Sequence, residues 1–129
     1  MQPLTIYYDG QCPLCQAEIR MLRARNRQGL LRFADLSDPH FDATANRISC
    51  AAALEKIHGR LESGELLTGI AVFAAAYRRA DLPLLAWIFS RRWLAPLLNP
   101  LYGLFVKYRH AVSRTLGPTL LRLAQRIYP

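Results

Sequence analysis

The feature that most constrains this chain is a pair of cysteines, three positions apart, between a strand-like segment and a helix-like segment. Cys12 and Cys15 follow residues 4–8, a short run rich in β-branched and aromatic side chains, and the turn Asp9-Gly10. Pro13 suits the first position of a helix, where its missing N–H costs nothing. The pattern predicts that the two thiols lie at a helix N-terminus directly after the first strand.

That position favours redox chemistry. A cysteine reacts as its thiolate, and the unpaired N–H groups and positive end of the helix dipole at an N-terminus stabilise the anion. We therefore expect Cys12 to be the nucleophile. Cys15 lies one turn further along, on the inner side of the helix, where it would be shielded yet able to close a disulfide with Cys12. We assign it as the resolving thiol.

The length and composition predict one domain in a reducing compartment. A chain of 129 residues that is 52% hydrophobic can bury a core. We expect a single domain over 1–129, with a core at about 1–80 and a helical extension at about 81–129. Three cysteines are an odd number, and the first residues do not resemble a signal peptide, which predicts a cytoplasmic location. In that compartment a Cys-x-x-Cys is more often catalytic or metal-binding than a structural crosslink.

The periodicity along the first 80 residues predicts alternating strands and helices. The expected elements are a strand at 4–8, a helix at 13–27, a strand at 30–34, a loop at 40–46, a short helix at 49–54, a strand at 56–61, a strand at 66–67 and a helix at 69–79 capped by Thr68. A parallel pair followed by an antiparallel hairpin and a closing helix is the thioredoxin-like arrangement. The sequence therefore predicts an α/β fold with a β-α-β-α-β-β-α core.

The C-terminal part is basic, apolar and helical in pattern. Nine basic residues and one acidic residue follow Tyr77, so this part carries all of the net charge of +8. We expect three helices, with breaks at Pro96, at Asn99-Pro100 and at Gly117-Pro118. No apolar run approaches the roughly 20 residues of a membrane span.

This part supports an alternative function. It could form a binding module that contacts an anionic membrane surface or a partner protein, with the dithiol secondary. No nucleic-acid-binding motif is present in the sequence, so we expect no nucleic acid among its partners.

A metal site is a second alternative. It would combine Cys12 and Cys15 with Cys50 and one of the histidines at positions 40, 58 and 110. Zinc sites favour paired ligands at short spacing, and this sequence has only one such pair. Haem attachment would need a histidine after Cys15, where Gln16 stands. We therefore expect no metal and no cofactor, and interpret Cys50 as a small buried residue.

The signature Asp9-x-x-Cys12-x-x-Cys15 resembles that of the DCC family of thiol-disulfide oxidoreductases. The likeness covers most of the chain and extends to three further segments, at 29–35 (GLLRFAD), 67–69 (LTG) and 102–109 (YGLFVKYR). The resemblance implies a thioredoxin-like fold and dithiol activity toward a disulfide-containing protein or a small thiol. Cys12 and Cys15 would be the reactive pair, supported by Asp9, Gly10 and Pro13.

Two points follow from the comparison with that family pattern. Better-known thioredoxin folds place a cis-proline opposite the dithiol, but this chain has no proline between Pro39 and Pro83. Asp9 could either shape the turn by accepting loop N–H bonds or take part in proton transfer. We favour the turn-shaping role.

Overall fold

The computed structural model describes residues 1–44 and 48–127. Strand β1 (Leu4–Tyr8) is central in a four-stranded sheet of order β2-β1-β3-β4. It pairs in parallel with β2 (Leu31–Asp35) and antiparallel with β3 (His58–Leu61), which forms a hairpin with β4 (Leu66–Thr68). The chain is thus a mixed α/β protein with a thioredoxin-like sheet, as the sequence predicts.

Three helices complete the order β-α-β-α-β-β-α. They are α1 (Pro13–Ala24), α2 (Cys50–Glu55) and α3 (Ile70–Arg79). The central strand is apolar because both of its faces are covered: Leu4, Ile6 and Tyr7 are all nearly inaccessible to solvent. Ile19 and Leu22 of α1 belong to this core with Leu4 and Ile6, so burial fixes which face of the cysteine-bearing helix turns toward the sheet.

Helix α1 ends at Ala24, three residues earlier than the sequence predicts. The Asn26 side chain donates to the carbonyl of Leu31 at 2.9 Å and accepts from the N–H of Leu31 at 3.1 Å. Asn26 thereby pairs with the backbone at the start of β2 instead of continuing the helix. Gly29, at φ +67°, makes the turn between them.

The predicted cap of helix α3 is wrong. Thr68 is the last residue of β4, and the N-cap is Gly69, which has φ +64° and ψ −133°. Only glycine adopts that backbone conformation without strain. The N–H of Gly69 donates to the carbonyl of Ile57 at 3.0 Å, which joins the start of α3 to the residue before β3. The predicted loop at 40–46 contains no helix or strand as far as Thr44, and its last residues lie outside the described ranges.

The C-terminal part has three helices, the number that the sequence predicts: α4 (Pro83–Ser90), α5 (Ala95–Thr115) and α6 (Gly117–Ile127). A 3-10 turn at Arg92–Leu94 precedes α5. The predicted breaks at Pro96 and Asn99-Pro100 are wrong, whereas the break at Gly117 is confirmed. Pro96 falls in the first turn of α5, where no N–H is required. Pro100 lies inside the helix and is exposed, so water can bond the carbonyl that it leaves without a donor.

The C-terminal helices pack on the α/β core at three places. Helix α4 lies against α3, α6 lies along α1, and α5 contacts both α1 and α3. In the described residues, no helix is both long enough and apolar enough to cross a membrane. The packing of α5 and α6 around α1 brings the C-terminal part close to the cysteine-bearing helix.

Candidate dithiol site

Cys12 is the N-cap residue of α1, in an extended backbone conformation, and Pro13 is the first helical residue. Cys15 lies in the first turn. The prediction that both cysteines fall at a helix N-terminus is confirmed. Both are half-buried thiols, so Cys15 is less shielded than the sequence indicates.

The loop before Cys12 is held by contacts of the Asp9 side chain and carbonyl with backbone N–H groups. The N–H of Gln11 donates to the Asp9 carboxylate at 2.9 Å, and the N–H of Cys12 donates to the Asp9 carbonyl at 3.2 Å. The first contact is the one that the turn-shaping interpretation of Asp9 predicts. The amide of Gln16, on the first turns of α1, donates to the carbonyl of Gly10. The cysteine loop is therefore fastened both to its own turn and to its helix.

Asp35, at the end of the neighbouring strand β2, also holds this loop. Its carboxylate accepts from the N–H of Gly10 at 2.9 Å, and from the N–H and hydroxyl of Ser37 at 2.8 and 2.6 Å. Burial by itself would raise the pKa of Asp35, but these hydrogen bonds and the charge of Arg23 outweigh it and lower the pKa. Asp35 is thus a carboxylate at neutral pH.

The same contact explains why position 10 is glycine. A Cβ atom at Gly10 would lie 2.0 Å from Oδ2 of Asp35, closer than any real contact. Sequence reasoning placed Gly10 in a turn and among the supporting residues of the site, but did not include Asp35. The signal was weak, because the two residues are 25 positions apart and their contact depends on the parallel pairing of β1 and β2.

Both cysteines line one pocket of about 260 Å³. Its walls come from β1, the cysteine loop, α1, α2, the residue before β3, α3 and α5, and are largely apolar. The lining residues are Tyr7, Tyr8, Asp9, Cys12, Leu14, Cys15, Glu18, Ile19, Ala53, Ile57, Phe73, Tyr102, Phe105 and Val106. The two sulfur-bearing residues therefore share a single cavity, which is a requirement for acting on one substrate.

Helix α5 closes one side of this pocket. The hydroxyl of Tyr102 accepts a hydrogen bond from the N–H of Ile57 at 2.9 Å, and the Tyr102 ring lies edge-on to Phe73 with centroids 5.9 Å apart. Sequence reasoning treated residues 81–129 as an extension outside the core. Instead Tyr102, Phe105 and Val106 contribute to the cavity that contains the cysteines. The four-residue spacing of Tyr102 and Val106 was the available signal for an inward helical face.

A carboxyl group that the sequence did not single out also lines the pocket. Glu18 lies on α1, three residues after Cys15, and accepts a hydrogen bond from the hydroxyl of Tyr77 at 2.7 Å. The residue as a whole is half-buried, whereas its carboxyl end is largely enclosed. Burial raises the pKa of Glu18, and the bond from Tyr77 offsets only part of that rise.

The residues named for a metal site are only partly covered by the structure. Among the described residues, no three of the His, Cys, Asp and Glu side chains are grouped so as to hold a metal ion. The side chains of Cys50 and His110 lie outside the described part of the chain. The prediction that Cys50 is buried therefore stays a prediction. His40 is exposed in the loop after β2, and the ring of buried His58 contacts the carbonyl of Lys56.

The sheet order and the Cys-x-x-Cys at the N-terminus of α1 define a thioredoxin-like protein. Comparison with protein families agrees, since the DCC1-like thiol-disulfide oxidoreductase family matches residues 6–115. The chain belongs to that family.

One relative is an uncharacterized chloroplastic protein of Arabidopsis thaliana, which is 28% identical over 115 residues. The match covers 85% of this chain and 52% of the relative, so the chain spans about half the length of that protein. No solved structure matches the chain.

Proposed function

We propose that this protein is a dithiol-disulfide oxidoreductase in which Cys12 is the nucleophile and Cys15 the resolving thiol. The observation that carries the proposal is that both cysteines line one pocket at the N-terminus of α1. The exposed end of a helix favours a thiolate at Cys12. The family supplies the reaction class, since its members are described as thiol-disulfide oxidoreductases.

The reaction consists of two exchange steps. The Cys12 thiolate attacks one sulfur of a substrate disulfide, which forms a mixed disulfide and releases the first substrate thiolate. The Cys15 sulfur then attacks the sulfur of Cys12 and gives up its proton, which closes the Cys12–Cys15 disulfide and releases the second substrate thiolate. The substrate gains two electrons, and its two thiolates take up two protons. The protein loses two electrons and two protons. An external thiol would return the protein to its reduced state.

The two cysteines should behave differently when replaced. A Cys12→Ser variant should lose disulfide reductase activity, because no nucleophile remains to open the substrate. A Cys15→Ser variant should accumulate the mixed disulfide on Cys12, detectable by mass spectrometry. A Cys50→Ser variant is the matched control and should retain activity. Turnover that survives both Cys12→Ser and Cys15→Ser would exclude this mechanism.

The proposed substrate is a disulfide-containing protein or a small disulfide. We propose no nucleic-acid partner. A reducing compartment such as the cytoplasm is the proposed location, because the first step requires the reduced dithiol. The mostly apolar wall of the pocket, with Leu14, Ile57 and Phe73, suits an apolar group beside the substrate disulfide. Competition assays with disulfides that differ in the size of that group would test the preference.

A specific observation also favours peripheral contact with an anionic membrane. Helices α5 and α6 each carry an exposed apolar stripe at helical spacing in addition to their inner faces. The exposed side chains are Leu97, Leu101, Leu104 and Tyr108 on α5, Leu116 just before α6, and Leu120, Leu123 and Ile127 on α6. No acidic residue follows Asp81 in the sequence, so every charged side chain of these helices is basic. Exposed apolar faces with basic flanks are the pattern of helices that lie on anionic lipid.

Two exposed tryptophans adjoin this region. Trp87 and Trp93 have ring centroids 6.5 Å apart and are 48% and 70% exposed. Tryptophan prefers the interface between lipid and water. We expect the protein to sediment with vesicles that contain anionic lipid, and less with neutral vesicles or at high salt.

The membrane test has a matched control within the chain. A protein with both Leu101→Glu and Leu123→Glu should lose vesicle binding, because each change places a negative charge in an apolar stripe. Leu66→Glu, on the exposed hairpin strand β4, should bind as the wild type does. If the protein sediments equally with neutral and anionic vesicles, or sediments with neither, it does not bind anionic membranes as proposed.

A further inference from the structure

The pocket contains an enclosed carboxyl group, that of Glu18, to which the proposed function gives no task. Glu18 lies one helical turn after Cys15, so the two side chains are neighbours on the same face of α1. Both line the pocket, as does Cys12. An enclosed carboxyl group beside a thiol that must lose a proton is an arrangement that can serve acid–base chemistry.

The groups around Glu18 are acids, thiols and phenols. Tyr77 of α3 donates to it, and the other titratable residues of the pocket are Cys12, Cys15, Asp9, Tyr7, Tyr8 and Tyr102. Lysine, arginine and histidine do not occur among the described residues that line the pocket. The Tyr77 bond occupies Oε1, which fixes the orientation of the carboxyl group and leaves Oε2 to exchange a proton.

We propose that Glu18 is the proton acceptor for the Cys15 thiol in the resolving step. This inference rests on the proposed function. As the Cys15 sulfur attacks the sulfur of Cys12, its proton passes to the Glu18 carboxylate. The bond between Cys12 and the substrate sulfur breaks, and the departing thiolate takes the proton back from Glu18. Glu18 thus ends each cycle as it began, and the electrons follow only the sulfur atoms.

Burial at this site supports the role. The raised pKa of Glu18 makes its carboxylate a stronger base than an exposed glutamate. The bond from Tyr77 works in the opposite direction and limits the rise. Removing the Tyr77 hydroxyl should therefore shift the pH dependence of the attack by Cys15. Removing the Glu18 carboxyl group should abolish that pH dependence.

The test separates the two steps with dithiobis(nitrobenzoate), an aromatic disulfide. All proteins in this assay carry Cys50→Ser, so that only two thiols are present: attack by Cys12 releases one coloured thionitrobenzoate, and attack by Cys15 releases the second. In Glu18→Gln the amide oxygen can still accept the Tyr77 bond, so the fold should persist. We expect the first release at the wild-type rate and the second slowed by roughly 100-fold at neutral pH, the usual effect of removing a general base.

The pH profile supplies the second readout. In Tyr77→Phe the midpoint of the second release should move to higher pH, because the bond that lowers the Glu18 pKa is gone. Glu65→Gln, an exposed acid on the hairpin, should match the wild type. An unchanged second release and pH profile in Glu18→Gln would overturn the inference. If that variant does not fold, an unshifted midpoint in Tyr77→Phe would overturn it instead.

Failure of the proposed function has a different signature. If Cys12→Ser still releases the first thionitrobenzoate at the wild-type rate, Cys12 is not the nucleophile and the proposed function is wrong. If Cys12→Ser abolishes the first release and Glu18→Gln leaves the second unchanged, only the role of Glu18 is wrong.

Discussion

Replacing Tyr102 with phenylalanine should loosen helix α5 from the dithiol pocket. The substitution removes the hydroxyl that accepts the N–H of Ile57 at 2.9 Å. The ring contact with Phe73, at 5.9 Å between centroids, and that with Phe105, at 6.5 Å, should remain. The experiment therefore removes the hydroxyl that joins residues 45 positions apart and leaves the ring contacts in place.

The expected size follows from what the Ile57 amide loses. A hydrogen bond within a protein contributes about 0.5–1.5 kcal/mol net, and an amide left without a partner costs about 1–3 kcal/mol. Ile57 is half-buried, so water can replace part of the bond, and we expect a loss of about 1–2 kcal/mol. For a domain of this size, that corresponds to a fall in Tm of about 4–8 °C.

Urea unfolding measures the global effect, and hydrogen exchange at the Ile57 amide measures the local one. Tyr108→Phe is the matched control, because Tyr108 lies on the same helix and is half exposed. We expect a lower urea midpoint and faster Ile57 exchange in Tyr102→Phe only. If both variants unfold at the same midpoint and Ile57 exchanges as in the wild type, the Tyr102 bond does not hold α5 in place.

Three further changes test the loop and the helix start. Gly10→Ala should reduce both stability and reductase activity, because its Cβ would lie 2.0 Å from Oδ2 of Asp35; unfolding and activity assays that match the wild type would contradict that geometry. Gly69→Ala should cost about 1–3 kcal/mol in urea unfolding because of its positive φ, whereas Gly103→Ala, on the exposed surface of α5, should stabilise by about 0.5–1 kcal/mol. Asp35→Asn should be less stable than the wild type above pH 3.8, and this deficit should shrink at lower pH. The reason is that the pKa of Asp35 is lowered in the folded protein, so the stability that its carboxylate contributes is lost as the pH falls through that pKa. A deficit in urea midpoints that stays constant across the acid range would contradict this.

The elements that the sequence predicts well are those set by local pattern. Strand β1 and the start of α1 follow from β-branched residues, the Asp9-Gly10 turn and Pro13, all of which act within a few positions. The position of Cys12 as the N-cap could be predicted for the same reason. The parallel pair and the antiparallel hairpin also followed from the order of elements, because few connections are compatible with a β-α-β unit followed by a hairpin.

The parts that could not be predicted depend on distant contacts. The pairing of Gly10 with Asp35 needs the parallel register of β1 and β2, and the Tyr102 bond to Ile57 needs α5 to fold back over the pocket. Proline misled the prediction of α5. Pro96 falls in the first turn, where its helix-breaking effect is small, and the carbonyl that Pro100 leaves without a donor faces water. Glu18 carried no local signal, since its burial arises from packing against Tyr77, 59 positions away.

A redox titration of the purified protein tests the central claim most directly. The protein is equilibrated with mixtures of reduced and oxidised dithiothreitol, its remaining thiols are alkylated, and the modified cysteines are located by mass spectrometry. We expect Cys12 and Cys15 to become protected together in a single two-electron transition, while Cys50 stays alkylated throughout. Cys12 and Cys15 that remain alkylated at every potential, or that become protected independently, would contradict the account.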